Sequence, residues 1–265
     1  MNGRAPTPIK TPYEIDIMRR NGRLLATVFT MLDTWITPGV STLWLNQQVD
    51  EYIRDTLQAI PASLGAYGYP FSINVSPNHV ACHGMPCEHT HITDTDIVNI
   101  DITLKKDDFI VDSSKMYVMP QAPRSSQTLV DTAYHAMWQG IQQIAPGAHS
   151  GDLGYAIHQY AMQQGCSVVR EFCGHGVGKQ LHEPPQILSV GLPKHGVVLQ
   201  EGMVFTVEPI INQGNAQVRT LEDGWTVVTQ DHQLSAQFEH TVLVTDTGFE
   251  VLTLRDNETV PTFVS

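Results

Sequence analysis

The stretch Asp96–Leu104, DIVNIDITL, and its continuation Phe109–Val118, FIVDSSKMYV, decide how this chain folds. In the first segment Ile97, Asn99, Asp101 and Thr103 fall on one face, and Val98, Ile100, Ile102 and Leu104 on the other. That is the period of a strand with one polar and one apolar side. The intervening residues 105–108, Lys-Lys-Asp-Asp, predict a turn, and hence a hairpin. Asp112 follows Asp101 by eleven residues, so a tight hairpin carries both carboxylates to the same face. Like charges at that range raise each other's pKa unless a cation sits between them. Either aspartate alone reads most simply as a solvent-facing strand residue. Because Asp is depleted in strands, two on adjacent strands shift the reading toward function.

Working outward, a helix is predicted from Thr11. Thr11 can cap, Pro12 suits the first helical position and Glu14 completes a capping box. Ile15, Met18, Leu25, Val28, Phe29, Leu32 and Ile36 recur at near-helical spacing until Pro38-Gly39. A second helix follows Ser41, with Leu45, Val49, Tyr52 and Ile53 on one side. Residues 61–93 are rich in Pro, Gly, Ser, Asn and His and read as loop with short extended pieces. Beyond the hairpin, helices are predicted at Gln127–Ala145 and Gly151–Gln164. Strands are predicted at Ser167–Phe172, Met203–Asn212, Trp225–Thr229 and Gln237–Thr245. Ile36-x-Pro38-Gly39 recurs as Ile144-x-Pro146-Gly147, 108 residues later, and Leu45, Val49 and Tyr52 align with Leu153, Ile157 and Tyr160 without a gap. A duplicated α–β unit would make one domain with a pseudo-two-fold axis and a site between its halves.

Composition narrows the function. The chain has 265 residues, 42% of them hydrophobic and only 16% charged, which suits a globular core. Its net charge of −12 repels phosphate backbones and argues against a nucleic-acid partner. No apolar run approaches the roughly 20 residues of a membrane span, and the N-terminus MNGRAPTPIKTP lacks the apolar core of a signal peptide. Four cysteines, Cys82, Cys87, Cys166 and Cys173, form no dense disulfide pattern, so a reduced, cytoplasmic protein is expected.

Further chemistry sits in three places. FCGHGVGK, residues 172–179, follows a predicted strand but matches neither the dinucleotide-binding nor the P-loop fingerprint. Glycines on both sides of His175 imply close backbone approach around an imidazole that must be reached. Glu208, in VFTVEP, and Glu239, in AQFEHT, are acidic residues inside apolar strands, costly to bury unpaired. Four carboxylates and one imidazole suit two divalent metals. Such a pair, about 3.5–4 Å apart, lowers the pKa of a bridging water and polarises a carbonyl. A competing cluster, Cys82, His83, Cys87, His89 and His91, offers thiols and imidazoles for a structural zinc, at a spacing unlike a standard finger.

Taken in order, LGAYGYP (64–70), ACHGMP (81–86), DIVNIDIT (96–103), DSSKM (112–116), VVREFCGHGVG (168–178), LHEPPQ (181–186), GMVFTVEP (202–209), DGWTV (223–227) and SAQFEHTVLVT (235–245) resemble type I methionine aminopeptidases over about residues 9–260. The resemblance implies an α+β pita-bread fold, with two pseudo-symmetric halves and helices packed outside a curved antiparallel sheet. It implies a short tail at 1–10 and one domain at 11–260, with half-repeats at about 11–125 and 126–260. It implies a dinuclear aminopeptidase removing the N-terminal residue, most readily an initiator methionine, from nascent proteins or peptides through a metal-bridged water. Asp101 then matches the bidentate ligand of one metal, Asp112 and Glu239 the bridging carboxylates, and His175 and Glu208 the ligands of the other. Co, Mn, Fe(II) and Zn all suit this donor set. His83 and His182 match the site histidines outside the metals. His182 is expected to hydrogen-bond the scissile carbonyl, His83 to meet the nitrogen side, and Glu208 to shuttle the proton. A monomer is expected.

The pocket departs from the family pattern: Ser63 and Asn74 stand where cysteines are usual, Ala66 for tyrosine and Leu181 for phenylalanine, while Tyr69 and Trp225 match. Methionine binding relies on apolar and sulfur–aromatic contact, so each change is expected to cost about 1 kcal/mol and leave a roomier, more tolerant pocket with weaker methionine turnover. The alternatives are an accessory enzyme with altered first-residue preference or X-Pro activity, a non-enzymatic protein of the same fold, and a structural zinc protein built on the 82–91 loop.

Overall fold

The computed structural model describes residues 6–262, so the first half of the expected 1–10 tail lies outside the described residues. Lys10 is buried: its backbone N–H donates to the Gly202 carbonyl (2.8 Å) and its ammonium pairs with Glu183.

The hairpin forms as read, from Ile97–Lys106 and Phe109–Val118. Its register sets Thr103 opposite Asp112 and Asp101 opposite Ser114, so the two aspartates are diagonal neighbours on one face. Around it runs a nine-stranded antiparallel sheet in the order Ile60–Pro61, Ile97–Lys106, Phe109–Val118, Glu239–Val244, Val204–Val207, Gly174–Gly176 and Glu183–Ile187. Ile73–Pro77 joins Ile97–Lys106, and Phe249–Val251 joins Glu239–Val244. Ser114 lies opposite Glu239, which brings the third acidic position to the same face.

Among the described residues four α-helices cover the sheet: α1 (Pro12–Trp35), α2 (Thr42–Glu51), α3 (Arg124–Ile141) and α4 (Ser150–Gln163). The Thr11–Glu14 capping box is present at the start of α1. One core joins α1 and α2 to Val98, Ile100, Ile102 and Leu104, the apolar face of the hairpin. A second joins α3 and α4 to Phe205, Val207 and Val242. The two halves repeat each other in detail. Gly39 and Gly147 both take left-handed φ, +96° and +87°, which favours glycine. Their N–H groups donate to Ile92 and Leu199, and the isolated bridges Ser41–His91 and His149–Val198 follow them. Leu45 and Val49 are buried under one half as Leu153 and Ile157 are under the other.

Several boundaries differ from the sequence reading. α3 starts earlier, its first turn closing on the Pro123 carbonyl, and ends at Ile141, where Gln143 turns back onto Gly140. The strand expected at Ser167–Phe172 pairs only over Ser167–Val168. The strands expected at Met203–Asn212 and Gln237–Thr245 are each split, into Val204–Val207 with Ile210–Asn212 and Ser235–Gln237 with Glu239–Val244. Pro209 has no N–H to give a ladder, and at this break both chains leave the main sheet for a three-stranded one. The break leaves Glu208 just beyond the end of Val204–Val207, before Pro209.

Candidate metal centre

Asp101, Asp112, His175, Glu208 and Glu239 converge. Asp112, His175 and Glu239 place ligand atoms within 4.8 Å of one another, Glu208 Oε1 lies 3.4 Å from His175 Nε2, and Asp112 Oδ2 lies 3.9 Å from it. Among the described residues no Lys or Arg comes within 4.0 Å of these carboxylates, so the arginine partner that would make them ordinary buried acids is missing.

Asp101, Asp112, His175 and Glu239 each lie on a strand of their own, and Glu208 directly follows Val204–Val207. Glycines flank His175 because neighbouring backbone crowds both: a Cβ on Gly174 would run into the Thr206 carbonyl and one on Gly176 into that of Pro184. The Gly176 carbonyl lies 3.1 Å from His175 Nδ1. A carbonyl only accepts, so Nδ1 carries the proton and Nε2 of the neutral ring turns a bare lone pair toward Asp112 and Glu208. Burial, with His182 nearby, pushes the His175 pKa down to about 4, so the ring is neutral at pH 7. Thr206 links the group: its hydroxyl accepts from the His175 N–H (3.0 Å) and donates to Glu208 Oε1 (2.7 Å). Asn74 donates to Asp101 Oδ2 at 3.2 Å.

Lone pairs facing lone pairs need a cation or protons. Burial pushes Asp101 up to about 6 and Glu208 up to about 8. Burial and then the neighbouring carboxylates raise Asp112 and Glu239 well above the usual range. Asp112 Oδ1 is buried without a hydrogen-bond partner. An unpartnered carboxylate oxygen among two buried and two partly buried acids and a bare imidazole nitrogen fits divalent metal ions.

This has a consequence for the metal-free protein. A carboxyl whose folded pKa exceeds its unfolded one gives stability that is full below the unfolded value and is lost as pH rises through the folded value. For Glu208 that window runs from the ordinary 4.5 to about 8. Above about pH 7 histidines are largely neutral in both states, so the raised carboxyls of this cluster, Glu208 with Asp112 and Glu239, set the trend there. The chelated protein is therefore expected to lose thermal stability between about pH 7 and 8.5. Manganese at a hundred times its dissociation constant is expected to raise Tm by about 5–10 °C. Calorimetry with and without chelator reads both; a flat chelated profile would refute the assignment.

All the pocket and histidine positions named from sequence line the same cavity, of about 370 Å³: Ser63, Ala66, Tyr69, Asn74, His83, Leu181, His182 and Trp225 with the five acid and imidazole residues. His83 has left-handed backbone, φ +54°, and its ring meets Phe172 edge-on at 5.3 Å. A strained, half-buried histidine lining a cavity is the kind of outlier that accompanies function. The polar departures are turned aside. Asn74 is engaged by Asp101, and the Ser63 and Thr103 hydroxyls pair with each other. Tyr69 and Trp225 pack at 5.0 Å and leave an aromatic wall beside Leu181. The cavity also contains Tyr67, Thr103, Phe172 and Cys173, which the sequence reading did not single out. Strand alternation already placed Thr103 beside Asp101, but nothing in the local sequence marks Tyr67. A larger groove, about 800 Å³, shares the walls Cys173, His175 and His182 and runs along the free-edge strand Glu183–Ile187. The 82–91 residues do not gather: among the described residues only Asp112, His175 and Glu239 form a group of three close metal-type ligands.

An antiparallel sheet curled around buried acids and one imidazole, with paired helices outside, defines a metallopeptidase architecture. The chain belongs to metallopeptidase family M24, whose model matches residues 16–246. It is 46% identical to the methionine aminopeptidase of Salmonella typhimurium over 257 residues, 97% of each chain. Among solved structures it resembles the methionine aminopeptidase of Rickettsia prowazekii (TM-score 0.92, 43% identity, 94% of this chain and 100% of that one). It also resembles that of Thermotoga maritima (TM-score 0.91, 35% identity, 94% and 99%). The pita-bread expectation holds.

Proposed function

We propose that this protein is a dinuclear metallo-aminopeptidase that releases N-terminal methionine from proteins and peptides. The observation that carries the reading is the set of four carboxylates, two buried and two partly buried, and one bare imidazole nitrogen, without a basic partner, lining one cavity. Asp101, Asp112, His175, Glu208 and Glu239 would hold two divalent ions, which would lower the pKa of a water between them and polarise the carbonyl. Glu208 takes the proton of the attacking water and returns it to the leaving amine. His182 donates to the scissile carbonyl oxygen as it gains charge, and His83 meets the nitrogen side of the bond. Tyr69, Leu181 and Trp225 receive the methionine side chain, and the groove beside Glu183–Ile187 takes the chain beyond the bond. The same reading expects a reduced, cytoplasmic protein, in keeping with its four free cysteines.

The test is release of the first residue from tripeptides under Mn, Fe(II), Co and Zn, with Asp112→Ala as control. Methionine is expected to be preferred, with leucine and norleucine within about a hundredfold, because one methylene in an apolar pocket is worth only about 1–3 kcal/mol. No release with any metal, or release confined to X-Pro bonds, would sink the proposal. Undiminished and exclusive methionine cleavage would sink the tolerant pocket alone.

A further inference from the structure

His182 can donate to a scissile carbonyl only if its cavity-facing nitrogen carries the ring's single proton. In a neutral imidazole, the partner of the other nitrogen decides this. That partner is Tyr67, whose hydroxyl lies 2.9 Å from His182 Nδ1. The tyrosine ring also stacks on the imidazole, with centroids 5.4 Å apart and planes 20° from parallel. His182 in turn stands edge-on to His175 at 4.3 Å. Tyr67 is 73% exposed, and its backbone is left-handed, φ +52°, between Gly65 and Gly68, which are left-handed too. A bulky residue in that region is an outlier that surrounding structure must hold in place. Here the loop sets an exposed phenol over the imidazole. Ala66 lines the cavity where the family resemblance expects a tyrosine, and the aromatic one position later lies over His182.

We infer that Tyr67 is a positioning residue for the hydrolysis: it holds the His182 ring by stacking and donates its O–H to Nδ1, leaving the proton on Nε2. The polarity follows from acid strength. A phenol, pKa about 10, is a far better donor than a neutral imidazole N–H, and an imidazole nitrogen is a far better acceptor than a phenol oxygen. Tyr67 touches no reacting atom; it acts through His182, and the inference rests on the role given to His182 above.

Four variants and one spectrum test it. Tyr67→Phe keeps the stack and removes the O–H. It is expected to lower kcat on a methionine tripeptide about tenfold with KM within about twofold, the size of one lost hydrogen bond. Tyr67→Leu, which also loses the stack, is expected to fall further. In the His182→Ala background Tyr67→Phe is expected to change nothing more. Two-bond proton–nitrogen spectra of the metal-free and zinc-loaded protein are expected to show His182 protonated at Nε2, with Nδ1 shifted by an accepted hydrogen bond that disappears in Tyr67→Phe. A His182 protonated at Nδ1, or full kcat in Tyr67→Phe beside an impaired His182→Ala, overturns the inference alone. Full activity in His182→Ala overturns the role of His182 and the inference with it.

Discussion

Glu208→Gln is expected to leave a folded protein whose peptide release falls by at least about a thousandfold, as for the loss of an acid–base group that also helps hold metal. The amide is isosteric, and its oxygen can still accept the Thr206 hydroxyl that now bonds Glu208 Oε1 at 2.7 Å. It cannot take a proton, and it brings no charge to the centre. The same substitution is expected to leave metal-free stability unchanged or higher at pH 8. It removes a buried carboxylate whose ionisation opposes folding, the trade of stability for activity common at such sites. Steady-state kinetics, elemental analysis of bound metal and melting of the chelated protein separate these effects. Release within about tenfold of the parent would end the proposed role of Glu208.

The second large effect lies behind the sheet. Arg255, 5% exposed, donates to the Ser113 hydroxyl (3.0 Å), the Ser114 carbonyl (2.6 Å) and Glu258 (2.9 Å), and its guanidinium lies 4.6 Å over the Phe29 ring. Ser113 passes the contact on, donating to the Glu239 carbonyl at 2.7 Å. One cation thus ties α1 to the two strands that carry Asp112 and Glu239. Arg255→Ala is expected to cost about 3–5 kcal/mol, because it leaves Glu258 charged and half-paired in the interior. That corresponds to a Tm lower by about 10 °C. Burial alone would raise the Glu258 pKa, but contacts with His240 and Arg255 outweigh it and hold the carboxyl well below its usual range. A depressed carboxyl contributes stability above its unfolded pKa and loses it as pH falls. The gap between parent and Arg255→Ala is therefore expected to narrow on acidification below about pH 4.5. Denaturant titration at pH 7 and pH 4 measures both, and a loss under about 1 kcal/mol at pH 7 would show the network to be dispensable.

The hairpin, the helix starts and the acid positions were legible because they depend on neighbours in sequence. Alternation put Asp101 and Thr103 on one face and Val98, Ile100, Ile102 and Leu104 on the other, and Thr11-Pro12-x-Glu14 specified a cap, whatever the rest of the chain did. The recurrence of Ile-x-Pro-Gly announced two like halves, since each copy needs the same left-handed glycine to turn into its second helix.

What the sequence could not determine was which strands would break and who would stand beside whom. Met203–Asn212 looks like one strand, but Pro209 and the demands of a second small sheet split it and set Glu208 at the bend. Tyr67 has nothing around it to mark it; a backbone bend carries its phenol to an imidazole 115 residues away. Arg255 reads as an ordinary basic residue after a strand, yet it is the buried cation behind the acidic floor. The five acid and imidazole positions were likewise individually ordinary. Periodicity fixes the face on which a side chain lies, but pairing across long stretches of chain depends on the whole sheet closing, and only the tertiary structure decides which polar groups share one buried volume.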